Sequence, residues 1–276
     1  MSRALVAFFV VVVTAVCAAT AGGQTPPPPP PSPPPTEQAP PKQPIPPVTD
    51  ADRAAAFPQG MAGHSMGGEG INFMVLFDRA EWQGGRAGHA HWDTKTWIGG
   101  DINRLWIRAD GETDDGRIEQ ASGEVLWGHS FSRWWDVVAG ARQDFRPGPG
   151  RTWAAVGLQG LAPYWFEVEA TAYVGEGGRT RLRLEVEYEL LLTNKLILQP
   201  VVEVEAFGKA DRARGIGAGL SSLETGLRLR YELRRELAPY VGVTWDRKLF
   251  GTADLARAAG QNAGAGRLTF GLRTWF

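Results

Sequence analysis

RTRLRLEVEYELLL, running from Arg179 to Leu192, is the stretch on which the fold turns. Taken at every second position, Arg179, Arg181, Arg183, Glu185, Glu187 and Glu189 form one set, while Thr180, Leu182, Leu184, Val186, Tyr188 and Leu190 form the other. A helix would scatter those charges around its axis. A strand puts all of them on one face and the apolar groups on the other. One such stretch is also compatible with a half-buried strand of a water-soluble protein, so the weight lies in its repetition. The pattern recurs to the last residue, where Leu268, Phe270, Leu272, Thr274 and Phe276 share a face.

Working back from Phe276, alternating segments fall near 267–276, 238–249, 220–233, 196–207, 179–191, 163–174, 151–160, 134–145, 117–128 and 102–110, about ten in all. Their connections alternate in length. Those near 161–163, 192–195, 130–133 and 234–237 are tight, while 208–219 and 250–266 are long and 111–116, 146–150 and 175–178 lie on the same side as the long ones. Short turns at one end and longer loops at the other describe an outer-membrane barrel with its short turns in the periplasm. The chain therefore reads as all-β, a closed antiparallel transmembrane β-barrel of about ten strands over 101–276. Apolar faces point to lipid and charged faces to the lumen, because in hydrocarbon every backbone group must be paired within a closed sheet. Trp135, Phe145, Tyr164, Trp245 and Phe276 sit at segment ends, where interfacial aromatic girdles belong. Inward Arg and Glu of neighbouring strands then meet across a narrow lumen. They read as a paired network that fills it, an open cation path being the alternative.

The N-terminal part is different. Residues 1–21 have a basic start, the short apolar core ALVAFFVVVVTAV from Ala4 to Val16 and small residues ending in Ala19-Thr20-Ala21, the signature of a secretory signal peptide cleaved after Ala21. Cys17 is the chain's single cysteine, so the mature chain is expected to have neither a disulfide nor a thiolate metal site. Residues 22–60 form a Pro-rich arm, expected to be disordered. The run from Pro26 to Pro47 favours an extended polyproline path of roughly 60–70 Å at about 3.1 Å per residue. A formal net charge of −1 argues against nucleic acid as a partner.

Residues 61–100 carry the metal-like chemistry. Met61, His64 and Met66 place two thioethers and an imidazole within six residues, set among glycines. Thioether favours soft Cu(I), and imidazole serves Cu(I) or Cu(II). His89 and His91, alternate residues of GHAH, can point the same way on an extended chain. Ile71 to Trp82 is itself apolar and strand-like. An eleventh strand would leave the N-terminus on the outer side, so this segment is expected at the periplasmic mouth or inside the lumen. His129 falls at a strand end and reads as a polar turn residue. The H-E-x-x-H helix, the phosphate-binding glycine loop and the GxSxG elbow are all missing from the sequence, and the reading is of a protein that is not an enzyme.

The run GLQGLAPYWFEVEATAYVGEGGRTRLRLEVEYELLLTNKLILQP from Gly157 to Pro200 resembles the copper resistance protein B family of bacterial outer-membrane proteins. So do WIGGDINRLWIRADGE from Trp97, GIGAGLSSLETGLRLRYELRRELAPYVGVTW from Gly215 and GTADLARAAG from Gly251. The resemblance covers about Ile71 to Phe276. It implies an outer-membrane barrel tied to copper tolerance, with a Met/His-rich N-terminal region that binds copper ions and a periplasmic multicopper oxidase as a partner. Family members often carry several Met-His repeats there, whereas this chain keeps only MAGHSM. The expected function is thus a lipid-embedded barrel in which Met61, His64 and Met66 take copper on the periplasmic side, with His89 and His91 as a second station near the barrel mouth. A general small pore, or a purely structural barrel without a metal role, is the alternative.

Overall fold

The computed structural model describes residues 48–56, 70–84, 89–114 and 116–276. The stretch expected to be a signal peptide, most of the Pro-rich arm and the Met61–Met66 run lie outside them. Within the arm, Asp50–Ala56 forms a short helix, α1. Its start is a reciprocal cap: the Asp52 amide donates to Thr49 Oγ1 at 3.2 Å, and the Thr49 amide donates to Asp52 Oδ2 at 2.9 Å.

The rest is one closed antiparallel sheet. Its strands are β1 (Asn72–Gln83), β2 (His89–Gly99), β3 (Asn103–Asp114), β4 (Arg117–Ser130), β5 (Trp135–Arg146), β6 (Arg151–Ala162), β7 (Phe166–Gly175), β8 (Arg179–Glu187), β9 (Leu190–Leu191), β10 (Leu196–Phe207), β11 (Gly219–Tyr231), β12 (Leu237–Lys248) and β13 (Gly264–Trp275). Each pairs with its chain neighbours, and β1 on β13 closes the ring. The two-residue β9 continues the path of β8 against β10, so the wall has twelve strands plus this fragment. The break between β8 and β9 has a local cause. The Tyr188 amide donates to the Pro200 carbonyl at 3.1 Å, but Pro200 has no N–H to return to that side of the ladder.

The ten segments read from the sequence correspond to β3–β13, and residues 72–99 add two more. The strand-like Ile71–Trp82 is therefore neither a plug nor a mouth segment: Asn72–Gln83 and His89–Gly99 are wall strands in register with each other from Asn72↔Gly99 to Gln83↔His89. Two added strands, unlike one, keep both ends of the sheet on the same rim. The clean alternation of β1 fails at a bulge. Register shifts between Phe77 and Arg79 against β2, and between Phe77 and Ala80 against β13. Met74, Leu76 and Asp78 therefore face in before the bulge, and Arg79, Glu81 and Gln83 after it, as the burial pattern of the strand records. Phe276 ties its own amide and carbonyl to Val75 at 3.0 and 3.1 Å.

The polarity is inverted relative to a water-soluble sheet. On β13, Thr269 is 0% exposed beside Leu268 at 60% and Phe270 at 48%; on β11, Arg230 is 1% exposed between exposed Leu229 and Tyr231. Aromatics ring both rims: Trp134, Tyr164, Trp165 and Phe276 at the short-turn end, Trp82, Phe145 and Trp245 at the long-loop end. Trp134 and Trp165 meet edge to face at 5.3 Å. Among the described residues no helix is long and apolar enough to cross a membrane. The connection between β12 and β13, expected to be a loop, contains a second helix, α2 (Phe250–Ala258). It leans on β11 through buried Thr252, whose hydroxyl lies 2.7 Å from that of Ser221.

Candidate metal-handling lumen

Period two sends every other side chain of β2 inward: His89, His91, Asp93 and Lys95 all line the lumen. In a barrel this narrow, such side chains reach the far wall. Lys95 Nζ lies 2.9 Å from Glu169 Oε1 on β7 and 3.6 Å from Glu185 Oε1 on β8. Arg79 from β1 donates to the same Glu185 oxygen at 3.4 Å, and Arg183 donates to Glu185 Oε2 at 3.0 Å and to Glu203 at 2.9 Å. Arg108 of β3 pairs with Glu169 Oε2 at 2.9 Å and hydrogen-bonds Gln159 of β6. Arg142 donates to Glu124 and Asp144, both at 2.7 Å. Taking so many charges from water is tolerable only because each meets an opposite charge and further hydrogen bonds.

Apolar groups also lie inside, which the binary pattern did not foretell. Leu126, Val138, Trp153, Ala155 and Tyr173 form a buried cluster on the β4–β7 wall with Trp106 against it. Their polar tips join the charged layer: Tyr173 donates from its hydroxyl to Glu124 and Trp153 from its indole N–H to Asp144, each at 2.7 Å.

This layer separates two vestibules. The one at the long-loop rim has a volume of about 410 Å³ and is lined by nine carboxylates, seven Arg or Lys, His89 and His91. The one at the short-turn rim, about 250 Å³, has five carboxylates against Lys95 and Arg273, with Met74, Leu76 and Trp106. The first is nearly balanced in charge. The second is acidic and carries an inward thioether. Met74 was passed over in the sequence because its strand was not counted as wall.

His89 and His91 share a face as the GHAH spacing implies, and they stand at the long-loop rim, the end opposite Asn72, where the chain enters the wall. His89 Nδ1 is 3.5 Å from Asp114 and 4.0 Å from Glu112 on β3. His91 Nδ1 is buried and has no hydrogen-bond partner among the described residues. No three His, Cys, Asp or Glu side chains among the described residues already converge on a metal position. Met61, His64 and Met66 lie outside the described residues. His129 is a turn-end residue, 3.0 Å from Asn103 Oδ1 and stacked on Trp127.

The sequence model of the family described as Copper resistance protein B precursor matches residues 71–276. The Copper resistance protein B homolog of Pseudomonas syringae pv. tomato is 53% identical over 236 residues, 85% of this chain and 80% of that protein. Copper resistance protein B of Escherichia coli is 50% identical over 236 residues, 85% of this chain and 79% of that one. Among solved structures, the NanC porin superposes with a TM-score of 0.50 at 13% identity, over 74% of this chain and 99% of the porin, a likeness of fold. With the wall, its inverted polarity and its charged lumen described, the match over the whole barrel places this outer-membrane β-barrel in the copper resistance protein B family.

Proposed function

We propose that this chain contributes to copper resistance by binding copper ions and handing them on at the outer membrane, without catalysing a reaction. In this reading the short-turn rim faces the periplasm, as in barrels of this build. The N-terminal arm lies in that compartment, where a periplasmic multicopper oxidase is the partner that would exchange copper with it. Met61, His64 and Met66 hold copper as Cu(I), for which two thioethers and an imidazole are a soft donor set. His89 and His91 form the second station, at the mouth as expected from the sequence but in the vestibule of the long-loop rim, away from the periplasmic side. What carries the reading is that the imidazoles at 89 and 91 face into a barrel whose relatives are named for copper resistance.

Titration of the purified chain with Cu(I), before and after replacing Met61, His64 and Met66 by Ala, tests the first station. Loss of high-affinity binding in the triple variant supports it; unchanged binding overturns it. Bilayer conductance separates this reading from a general pore: a charge-filled lumen passes little current with or without copper, while a steady open-channel current would favour the pore.

A further inference from the structure

We infer that the long-loop vestibule holds a Cu(II) site built from His89, His91, Asp114 and Glu112. This deepens the proposed function and rests on it. The strands fix the arrangement. His89 is in register with Asp114 and His91 with Glu112 across the β2–β3 ladder, so two imidazoles and two carboxylates form a square of neighbouring side chains on the inward face. His89 and Asp114 already lie 3.5 Å apart. His91 Nδ1 is buried with no hydrogen-bond partner among the described residues, and Asp114 Oδ1, also buried, makes no hydrogen bond and has only the 3.5 Å approach of His89 Nδ1. A buried polar atom left unpaired is costly, so its presence at a vestibule wall points to something that satisfies it.

The donor chemistry selects the ion. Two nitrogens and two carboxylate oxygens suit the tetragonal preference of Cu(II), and among the described residues no thioether or thiol lines this vestibule to favour Cu(I). Among divalent first-row ions, copper binds such a set most tightly. To share one ion, His89 has to leave its contact with Asp114 and His91 has to turn toward the same point between the two carboxylates.

Electron paramagnetic resonance of the full chain in detergent, loaded with Cu(II), reads the site directly. Coupling to two imidazole nitrogens is expected, falling to one in H89Q or H91Q, each with roughly tenfold or more weaker binding. D114N with E112Q should weaken binding while keeping both nitrogens, and M61A with M66A should leave the spectrum as it is. Retention of the heat-modifiable gel band shows that each variant is folded. A Cu(II) spectrum and affinity unchanged in the H89Q/H91Q double variant would overturn the site, as would Zn(II) binding tighter than Cu(II). Cu(I) binding that persists while this site fails leaves the proposed function standing; a chain that retains neither copper ion removes both.

Discussion

Gly271 shows how a single residue positions the lumen. A Cβ there would lie 2.3 Å from the ring of Tyr240, which covers the bare backbone. From that position Tyr240 donates to Glu81 Oε1 at 3.0 Å, and Arg228 donates to the same oxygen at 2.5 Å. Gly271→Ala should push the ring off and loosen Glu81, lowering the temperature at which the heat-modifiable band is lost. Glu81→Ala should cost more, about 3–5 kcal/mol, because it leaves the Arg228 guanidinium buried without its counter-charge. A denaturation series in detergent micelles that ranks the two the other way round would refute this. None of this was legible beforehand. The period-two reading placed Gly271 inward but had no way to say which aromatic would lie over it, since that depends on the stagger of β12 against β13.

At the scale of the element, β1 is the instructive case. Asp78 is the extra residue of a bulge, and the phase of everything after it depends on it. Deleting Asp78 would restore plain alternation and swing Arg79, Glu81 and Gln83 toward lipid. An Arg near the bilayer midplane costs about 2–4 kcal/mol. The deletion variant should fail to give the compact heat-modifiable form; normal assembly would show that the bulge is dispensable. β1 was legible as a strand but was kept out of the wall because one added strand would leave the N-terminus on the outer side; the strand that went unread was its partner β2. Alternation marks the later strands more plainly, while β1 changes phase midway and β2 interrupts its apolar face, Ala90, Trp92, Thr94, Thr96 and Ile98, with two threonines. The His89/His91 pair was legible as a shared face, but its rim was not, because a rim can be assigned only once the strands before it are counted.

The loop between β10 and β11 offers a test by pH. Burial pushes the Asp211 carboxyl up, yet Arg151, 2.7 Å away, outweighs it and holds the pKa below the usual carboxylate value. A lowered folded-state pKa stabilises above the ordinary Asp pKa of about 4, and that contribution is lost as pH falls through the lowered value. Pepsin cleavage around 208–218 should therefore rise in strongly acidic buffer, and Asp211→Asn should loosen the loop and speed trypsin cleavage after the exposed Lys209 and Arg212 at neutral pH. Equal trypsin resistance in the variant would show that the pair does not hold the loop.

For the whole molecule, the consequence is a lumen divided by cross-barrel ion pairs. Glu185 alone takes contacts from Arg79, Lys95 and Arg183. Replacing Glu169 and Glu185 together by Gln should free Lys95 and raise single-channel conductance above the parent level; a variant as silent as the parent would mean that the seal lies elsewhere. The divided lumen and the rim position of His89 and His91 both depend on residues 72–99 being lipid-facing wall with a polar inner side. The most direct test is a nitroxide scan from Asn72 to Gln83 in lipid bilayers, each cysteine being introduced singly into the mature chain, which is expected to carry none of its own once Cys17 leaves with the leader. Collision with dissolved oxygen should peak at Phe73, Val75 and Phe77, skip Asp78 and Arg79, and peak again at Ala80 and Trp82. A flat profile, or uniform access to a water-soluble relaxant, would put this segment outside the wall and contradict the twelve-strand barrel.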